Sequence, residues 1–233
     1  MARTASAAAT GDRRPSLVDD AYAAMKEAIR ESTFAPGYQA SAQEIALRLG
    51  MSRTPVHEAS LKLQEEGLVR IVPKRGILIC ALAPDDIREI YDVIVAIEGR
   101  AAELVAALPE ADRQVIADTL EHRTADMEAA FASGDLTAWG QADAAFHRAL
   151  IEGARNGRIA RIVQTVNDQM HRARMLTLRL RGELPQSIAD HRSIIVAIRA
   201  GDPSAAHAAA RGHRLRTQSE LIPLLESLGL KHF

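Results

Sequence analysis

Aromatic side chains are scarce: one Trp, three Tyr and four Phe, 3% of 233 residues. A β-sandwich packed around large rings is therefore disfavoured. With 47% hydrophobic residues the interior must be assembled from Ala, Leu, Ile and Val, which suits closely packed helices. Cysteine occurs once, at Cys80, which excludes an internal disulfide and a cysteine metal knuckle; a reducing cytoplasm is the expected compartment. No apolar run approaches the roughly 18 residues that cross a bilayer, so no membrane partner is expected. Residues 1–14 lack the compact apolar core of a secretion signal and are expected to form a disordered tail. Charge of one sign is also missing. The 29 Lys/Arg and 30 Asp/Glu leave a net of −1, which excludes a uniformly basic nucleic-acid binder but allows local patches. Residues 1–80 hold 11 basic against 9 acidic groups, a small excess opposite in sign to that of the remainder.

What is present divides the chain into two parts. Val18, Tyr22, Met25 and Ile29 recur at helical spacing, predicting a helix over 17–31 that stops before Pro36-Gly37. Ser41-Ala42-Gln43-Glu44 has the form of a capping box and predicts a second helix over 42–49. Gly50 can take the left-handed conformation that ends a helix, and Ser52 or Thr54 before Pro55 can start the next, which runs to about Gly67. Residues 68–72 and 77–80 read as short strands around Pro73-Lys74-Arg75-Gly76. The sum is a winged helix-turn-helix of three helices and a β-hairpin wing over 15–81, followed by a linker at 82–84.

From residue 85 to 233 only helical stripes appear, beginning with Ile87, Ile90, Tyr91, Ile94, Ile97, Ala101 and Leu104. Glycines and prolines punctuate six helices, predicted at 85–107, 111–132, 136–152, 157–179, 186–200 and 203–220. No solenoid period is present, so an antiparallel all-α bundle is expected and the fold class is mainly α.

In a helix-turn-helix the second helix enters the major groove of DNA, with its N-terminal residues at the bases and phosphates. Here those are Ser52, Arg53, Thr54 and His57. Arg53 is the candidate for reading guanine, since its planar fork can donate two bonds to O6 and N7. Ser52 and Thr54 suit phosphate. Lys74 and Arg75 at the wing tip, with Gly76 permitting close approach, could reach the backbone or the minor groove.

These residues carry a resemblance. Pro36-Gly37, Glu44-Ile45-Ala46, the run Leu49 to Val56, Glu58-Ala59, Leu63, Glu66 to Val69 and Pro73 to Gly76 resemble the GntR family of bacterial regulators. The resemblance implies double-stranded operator DNA as partner, in the form of an inverted repeat bound by a homodimer. Two positions depart from it: His57 stands where the family usually has an arginine, and Ser60 where leucine is usual.

A second constellation lies in the bundle. Leu136, Trp139, Asp143, Phe146, His147 and Leu150 share one stripe, so an acid and an imidazole one turn apart face the core. A buried carboxylate is costly unless paired or bound to metal. His191 on the stripe of Ile188, Ile195 and Ile198, and His213 on that of Ala206 and Ala209, would complete a site of three nitrogens and one oxygen. The alternative is a metal-free polar network. His122 falls off the stripe of its helix, and His171, His207 and His232 are taken as surface residues.

Asp143 to His147, Asn156, His191 with Ile194-Ile195, Ala197-Ile198, Gly201-Asp202, Ala206 and His213 resemble the FCD ligand-binding domain of the FadR subfamily, in its VanR-like six-helix branch. The resemblance implies one divalent ion held by Asp143, His147, His191 and His213, with zinc first and nickel, iron or manganese as alternatives. It further implies a small organic acid as effector. Ile94 stands ahead of Glu98 where many such domains have an arginine that supports an acidic ligand; Arg148, Arg172 and Arg174 are candidate substitutes, each with plain surface charge as the alternative. The expected function is a ligand-responsive transcriptional regulator, a repressor, and not an enzyme. The alternative is a metal-dependent enzyme using the His/Asp cluster, but no motif marks a general acid or base beside it.

Overall fold

A computed structural model describes residues 16–81, 83–180 and 184–228. The expected tail at 1–14, Leu82 of the expected linker and His232 lie outside the described residues. The chain divides into two compact units that meet between Cys80 and Ala81.

The first unit contains α1 (Leu17–Arg30), β1 (Gln39–Ala40), α2 (Ala42–Leu49), α3 (Arg53–Glu65), β2 (Val69–Val72) and β3 (Gly76–Ile79). The β2–β3 hairpin pairs Val72 with Gly76 and Val69 with Ile79. The two-residue β1, absent from the sequence expectation, adds to the other edge of β3 by pairing Gln39 with Leu78. So short a strand has no periodicity to betray it; the pairing creates it. Met25, Ile29, Phe34, Ile45, Val56, Leu63, Leu68, Ile77 and Ile79 form the core. Lys26 and the Tyr22 hydroxyl both bind Glu66, at 2.9 and 2.5 Å, tying α1 to the end of α3.

Half of the expected capping box forms. Ser41 Oγ accepts from the Glu44 amide at 3.1 Å, but the Glu44 carboxylate does not return to residue 41; it accepts from the Tyr38 hydroxyl at 2.9 Å instead. Buried Ser60 is accommodated because its hydroxyl donates to the carbonyl of His57 at 2.6 Å.

The second unit holds α4 (Pro84–Ala106), α5 (Glu110–Ser133), α6 (Leu136–Gly153), α7 (Gly157–Thr177), a 3-10 turn (Leu178–Leu180), α8 (Leu184–Ala200) and α9 (Pro203–Ser227). Three of these helices begin where a side chain satisfies free amides: Asp135 caps α6, Asn156 caps α7 and Asp202 caps α9. Helix α4 lies along α9, α5 packs on α6 and α8, and α8 packs on α9. The last helix runs to Ser227 rather than ending at residue 220, passing through Pro223, because Leu221, Ile222 and Leu225 bury against Ile87, Tyr91 and Met170. That burial outweighs the lost hydrogen bond of an internal proline. The main core joins Ala101, Val105, Leu120, Phe146, Leu150, Ile194 and Ile198, and through Phe146 it touches the polar cluster described next.

Candidate functional site

Helix α3 starts at a left-handed Gly50 (φ 67°) and an extended Ser52. Ser52 occupies the N-cap, yet its side chain makes no capping bond, so hydroxyl and amides remain open to a phosphate. Pro55, Val56, Ala59 and Leu63 fasten the helix to the core, which turns Ser52, Arg53, Thr54 and His57 outward. Lys74 and Arg75 are exposed at the hairpin tip, where Lys74 has φ 63°. Gly76 proves to be required by the fold itself: a Cβ there would lie 2.3 Å from the Ala40 carbonyl oxygen of β1, and its φ is 96°. The third strand alone is therefore enough to require a glycine here.

In the second unit α6, α8 and α9 bring Asp143, His147, His191 and His213 together, all buried, with one ligand atom from each within 4.8 Å of the others. Nε2 of His191 lies 3.3 Å from Nε2 of His147, and Asp143 Oδ1 is 3.7 Å from each. Phe146 stacks flat on the His191 ring, with centroids 3.7 Å apart. Helical spacing explains the meeting: Asp143 and His147 are one turn apart on the buried face of α6, and the apolar stripes of α8 and α9 aim the other two rings at them.

Outer partners surround these four, and of them Asp190, Arg214 and Arg216 were not singled out by the sequence pattern. Nδ1 of His147 faces Glu98 Oε2 of α4 at 3.1 Å, near enough for an ion pair although the N–H direction falls short of a hydrogen bond. Glu98 is clamped by Arg214, whose Nε donates to Oε2 at 2.7 Å and whose Nη2 donates to Oε1 at 2.5 Å. His213 Nδ1 pairs with Asp190 at 3.1 Å, and Arg216 donates to the same carboxylate at 2.7 Å. Asp143 gives its second oxygen to Nε of Arg174 at 2.8 Å. Glu98 continues the buried face of α4 one turn after Ile94, and Arg214 follows Ala210 at the same interval; that spacing was the available signal.

Burial alone would raise the Asp143 and Glu98 carboxyls, but Arg174 and His147 outweigh it at Asp143, and Arg214 and His147 at Glu98, holding both well below the carboxylate range. Asp190 is lowered to about 2: burial opposes ionisation, and hydrogen bonds from His213, Gln186 and Arg216 prevail. Burial pushes His191 well below the usual imidazole value, aided by the neighbouring rings, and lowers His213 to about 4 despite its bond to Asp190.

This donor set fits a cation. Neutral imidazoles present lone pairs, and a proton on the outer nitrogen of His213, donated to Asp190, leaves Nε2 free to ligate. The two facing Nε2 atoms of His147 and His191 have no carboxylate closer than Asp143, and a shared ion would satisfy both. Among the described residues, Nδ1 of His191 has no hydrogen-bond partner.

A cavity of about 260 Å³ opens beside the cluster, lined by Ile94, Glu98, His147, Arg148, Arg174 and Arg214 among others. Of the three candidate arginines, Arg148 is exposed on this cavity, Arg174 is buried on its wall, and Arg172 is buried but does not line it. Arg172 and Arg174 are thus not surface charges. His122 is exposed as expected, whereas His171 and His207 are half-buried, His207 packing over Gly99 with 3.5 Å to Glu103.

Comparison with known proteins is consistent with both units. The FCD domain family matches residues 89–216, and the family of bacterial regulatory proteins named gntR matches residues 17–79. Over 134 residues the chain is 52% identical to an uncharacterized HTH-type transcriptional regulator from the TAR-I ttuE-ttuC' intergenic region of Agrobacterium vitis, covering 58% of this chain and 78% of that one. It is 29% identical over 173 residues to a probable D-xylose utilization operon transcriptional repressor of Paenarthrobacter nicotinovorans, covering 73% of each. Among solved structures, McbR/YncC of E. coli superposes with a TM-score of 0.74 at 18% identity, covering 92% of this chain and 99% of that one, which speaks for the fold alone. On the two family matches and the Agrobacterium relative, the chain belongs to the gntR family of bacterial regulatory proteins and carries an FCD domain.

Proposed function

We propose that the protein is a metal-dependent, ligand-responsive repressor of transcription. Membership of the gntR family makes it a DNA-binding regulator. The finer statement is carried by one observation: four ligating side chains from three helices converge in a buried pocket, each of the two outermost imidazoles backed by a carboxylate. Residues 15–81 serve as the DNA-binding domain, with Arg53 reading a base, Ser52, Thr54 and His57 contacting the duplex beside it, and Lys74 and Arg75 on the backbone. Residues 85–233 serve as the effector and dimerisation domain, in the VanR-like branch of the FadR subfamily on the strength of its six helices. A two-fold operator suits a dimer, because paired half-sites match paired recognition helices. Repression is favoured because the Paenarthrobacter relative is a probable transcriptional repressor.

Asp143, His147, His191 and His213 would hold one divalent ion, zinc before nickel, iron or manganese. Bound there, the ion would supply a Lewis-acidic anchor for a small organic acid in the adjoining cavity. Arg148 at its mouth and Arg174 on its wall add positive charge. The acid shifts the population of DNA-competent dimers only in so far as it binds the two states differently.

Elemental analysis of protein purified without chelator should find about one equivalent of a divalent metal per chain, and His147→Ala and His213→Ala should each reduce it while leaving DNA binding by the first unit intact. Less than about one-tenth of an equivalent, with no thermal stabilisation on adding zinc, nickel or manganese either alone or together with an organic acid, would refute the metal site.

A further inference from the structure

Beside the three imidazoles the bundle holds three carboxylates, each paired with a guanidinium: Asp143 with Arg174, Glu98 with Arg214, and Asp190, behind His213, with Arg216. The first two pairs are enclosed, whereas Asp190, Arg216 and the second partner of Arg216, Glu220, are half-buried, where solvent screens their charge. Imidazoles that ligate a metal are neutral, so these enclosed groups sum to no net charge before any cation enters. The Asp143 carboxylate is divided between two tasks. Oδ2 accepts from Arg174 at 2.8 Å, while Oδ1 stands 3.7 Å from Nε2 of His147 and of His191. A carboxylate already countered by a guanidinium attracts a dication less than a free one does. A dication added here leaves about two positive charges uncompensated in a low-dielectric space, where such charge is costly.

Arg174 also lines the cavity beside the cluster, together with His147 and Arg148. At about 260 Å³ the cavity has room for roughly nine waters at about 30 Å³ each, the size of a short-chain acid rather than of a drug-like ligand. One side chain therefore touches both the Asp143 carboxylate and the space an effector would fill.

We propose that Arg174 makes cation binding conditional on an anion: by holding Asp143 it weakens the site for a divalent ion alone and favours a compact dianion, a short dicarboxylate, as the co-ligand that restores neutrality. This rests on the cluster being a cation site. Linkage then requires that cation and dianion strengthen each other by the same factor. A monocarboxylate compensates half the charge and gives a weaker coupling.

The test is calorimetric titration of the metal-stripped full chain with nickel, with and without excess succinate or acetate, corrected for complexes formed in solution. Succinate should tighten nickel binding about 10-fold or more, within the range usual for coupled sites. Acetate should do less. Arg174→Gln should bind nickel alone more tightly than the native chain and lose most of the succinate effect, whereas Arg174→Lys, which keeps the charge, should retain it. A side chain that merely supported the packing would, on removal, weaken cation and anion together. Equal nickel affinity with and without succinate overturns the proposal while leaving the cation site standing. Weaker nickel binding by a folded Arg174→Gln chain does the same. Failure of the native chain to take up any divalent ion, with or without succinate, overturns the cation site and this inference with it.

Discussion

Basic side chains in the two units meet opposite fates. In the first unit Arg53, Lys74 and Arg75 are exposed, and among the described residues none has an ion-pair partner. In the second, Arg174 and Arg214 are buried and each is locked to a carboxylate. Unpaired charge on a helix N-terminus and a hairpin tip suits a long polyanion that arrives from solvent and displaces counterions. Paired charge in an enclosed pocket suits a small ligand, because only a desolvated site gives a few charges enough leverage to discriminate. One unit thus keeps its electrostatics available, and the other keeps them balanced.

The sharpest way to break this contrast is to unbalance the second unit. Glu98→Ala leaves Arg214 buried without its carboxylate, which should destabilise the bundle by about 3–5 kcal/mol. Trp139, the only tryptophan, is fully buried in α6, so its fluorescence during urea denaturation reports this unit. A loss below about 1 kcal/mol would mean that Arg214 reaches solvent or finds another partner.

Acid should unbalance the same unit more gently. His191 and His213 are depressed in the folded chain, His213 to about 4 from 6.5, so the folded state binds fewer protons than the unfolded one. Their contribution is complete above the unfolded value near 6.5 and is lost as pH falls through about 4. Each pK unit corresponds to about 1.4 kcal/mol, so metal-stripped protein should melt progressively lower across that window. His213→Gln should flatten the slope; a melting temperature constant from pH 7 to about 4 would contradict neutral, buried imidazoles.

In the first unit the expected effects fall on DNA rather than on folding. Arg53→Ala should remove about 1–3 kcal/mol of specific binding and relax preference at one position per half-site, with an unchanged unfolding curve. Mobility-shift titrations on the operator and on scrambled DNA check it, and unchanged selectivity would sink the assignment of α3 as the reading helix. Lys74→Ala should have the smallest effect, weakening all sequences alike and reducing the salt slope by about 1. A loss confined to one sequence would make Lys74 a base reader.

Much of the fold was legible because its signals are local. The left-handed Gly50, the Ser-Arg-Thr-Pro start of α3 and the apolar stripes of six helices each lie within a few residues of chain. The four cluster residues were legible for the same reason: a polar group on an apolar stripe is conspicuous. Glu98 lay on such a stripe too, but its partner Arg214 is 116 residues away, and a carboxylate alone does not announce what neutralises it.

By itself, then, the sequence determined the winged module, the six helices and the inward aim of Asp143, His147, His191 and His213, since periodicity dictates which face of a helix is buried. Only the tertiary structure decided that Gly76 is demanded by the carbonyl of Ala40, that α9 passes through Pro223, and that Arg174 and Arg214 are spent inside the bundle rather than displayed on it. Strand addition, burial at a helix end and charge pairing across helices depend on which distant residues come to lie opposite. That is settled by packing whole faces together, not by the order of residues along any one of them.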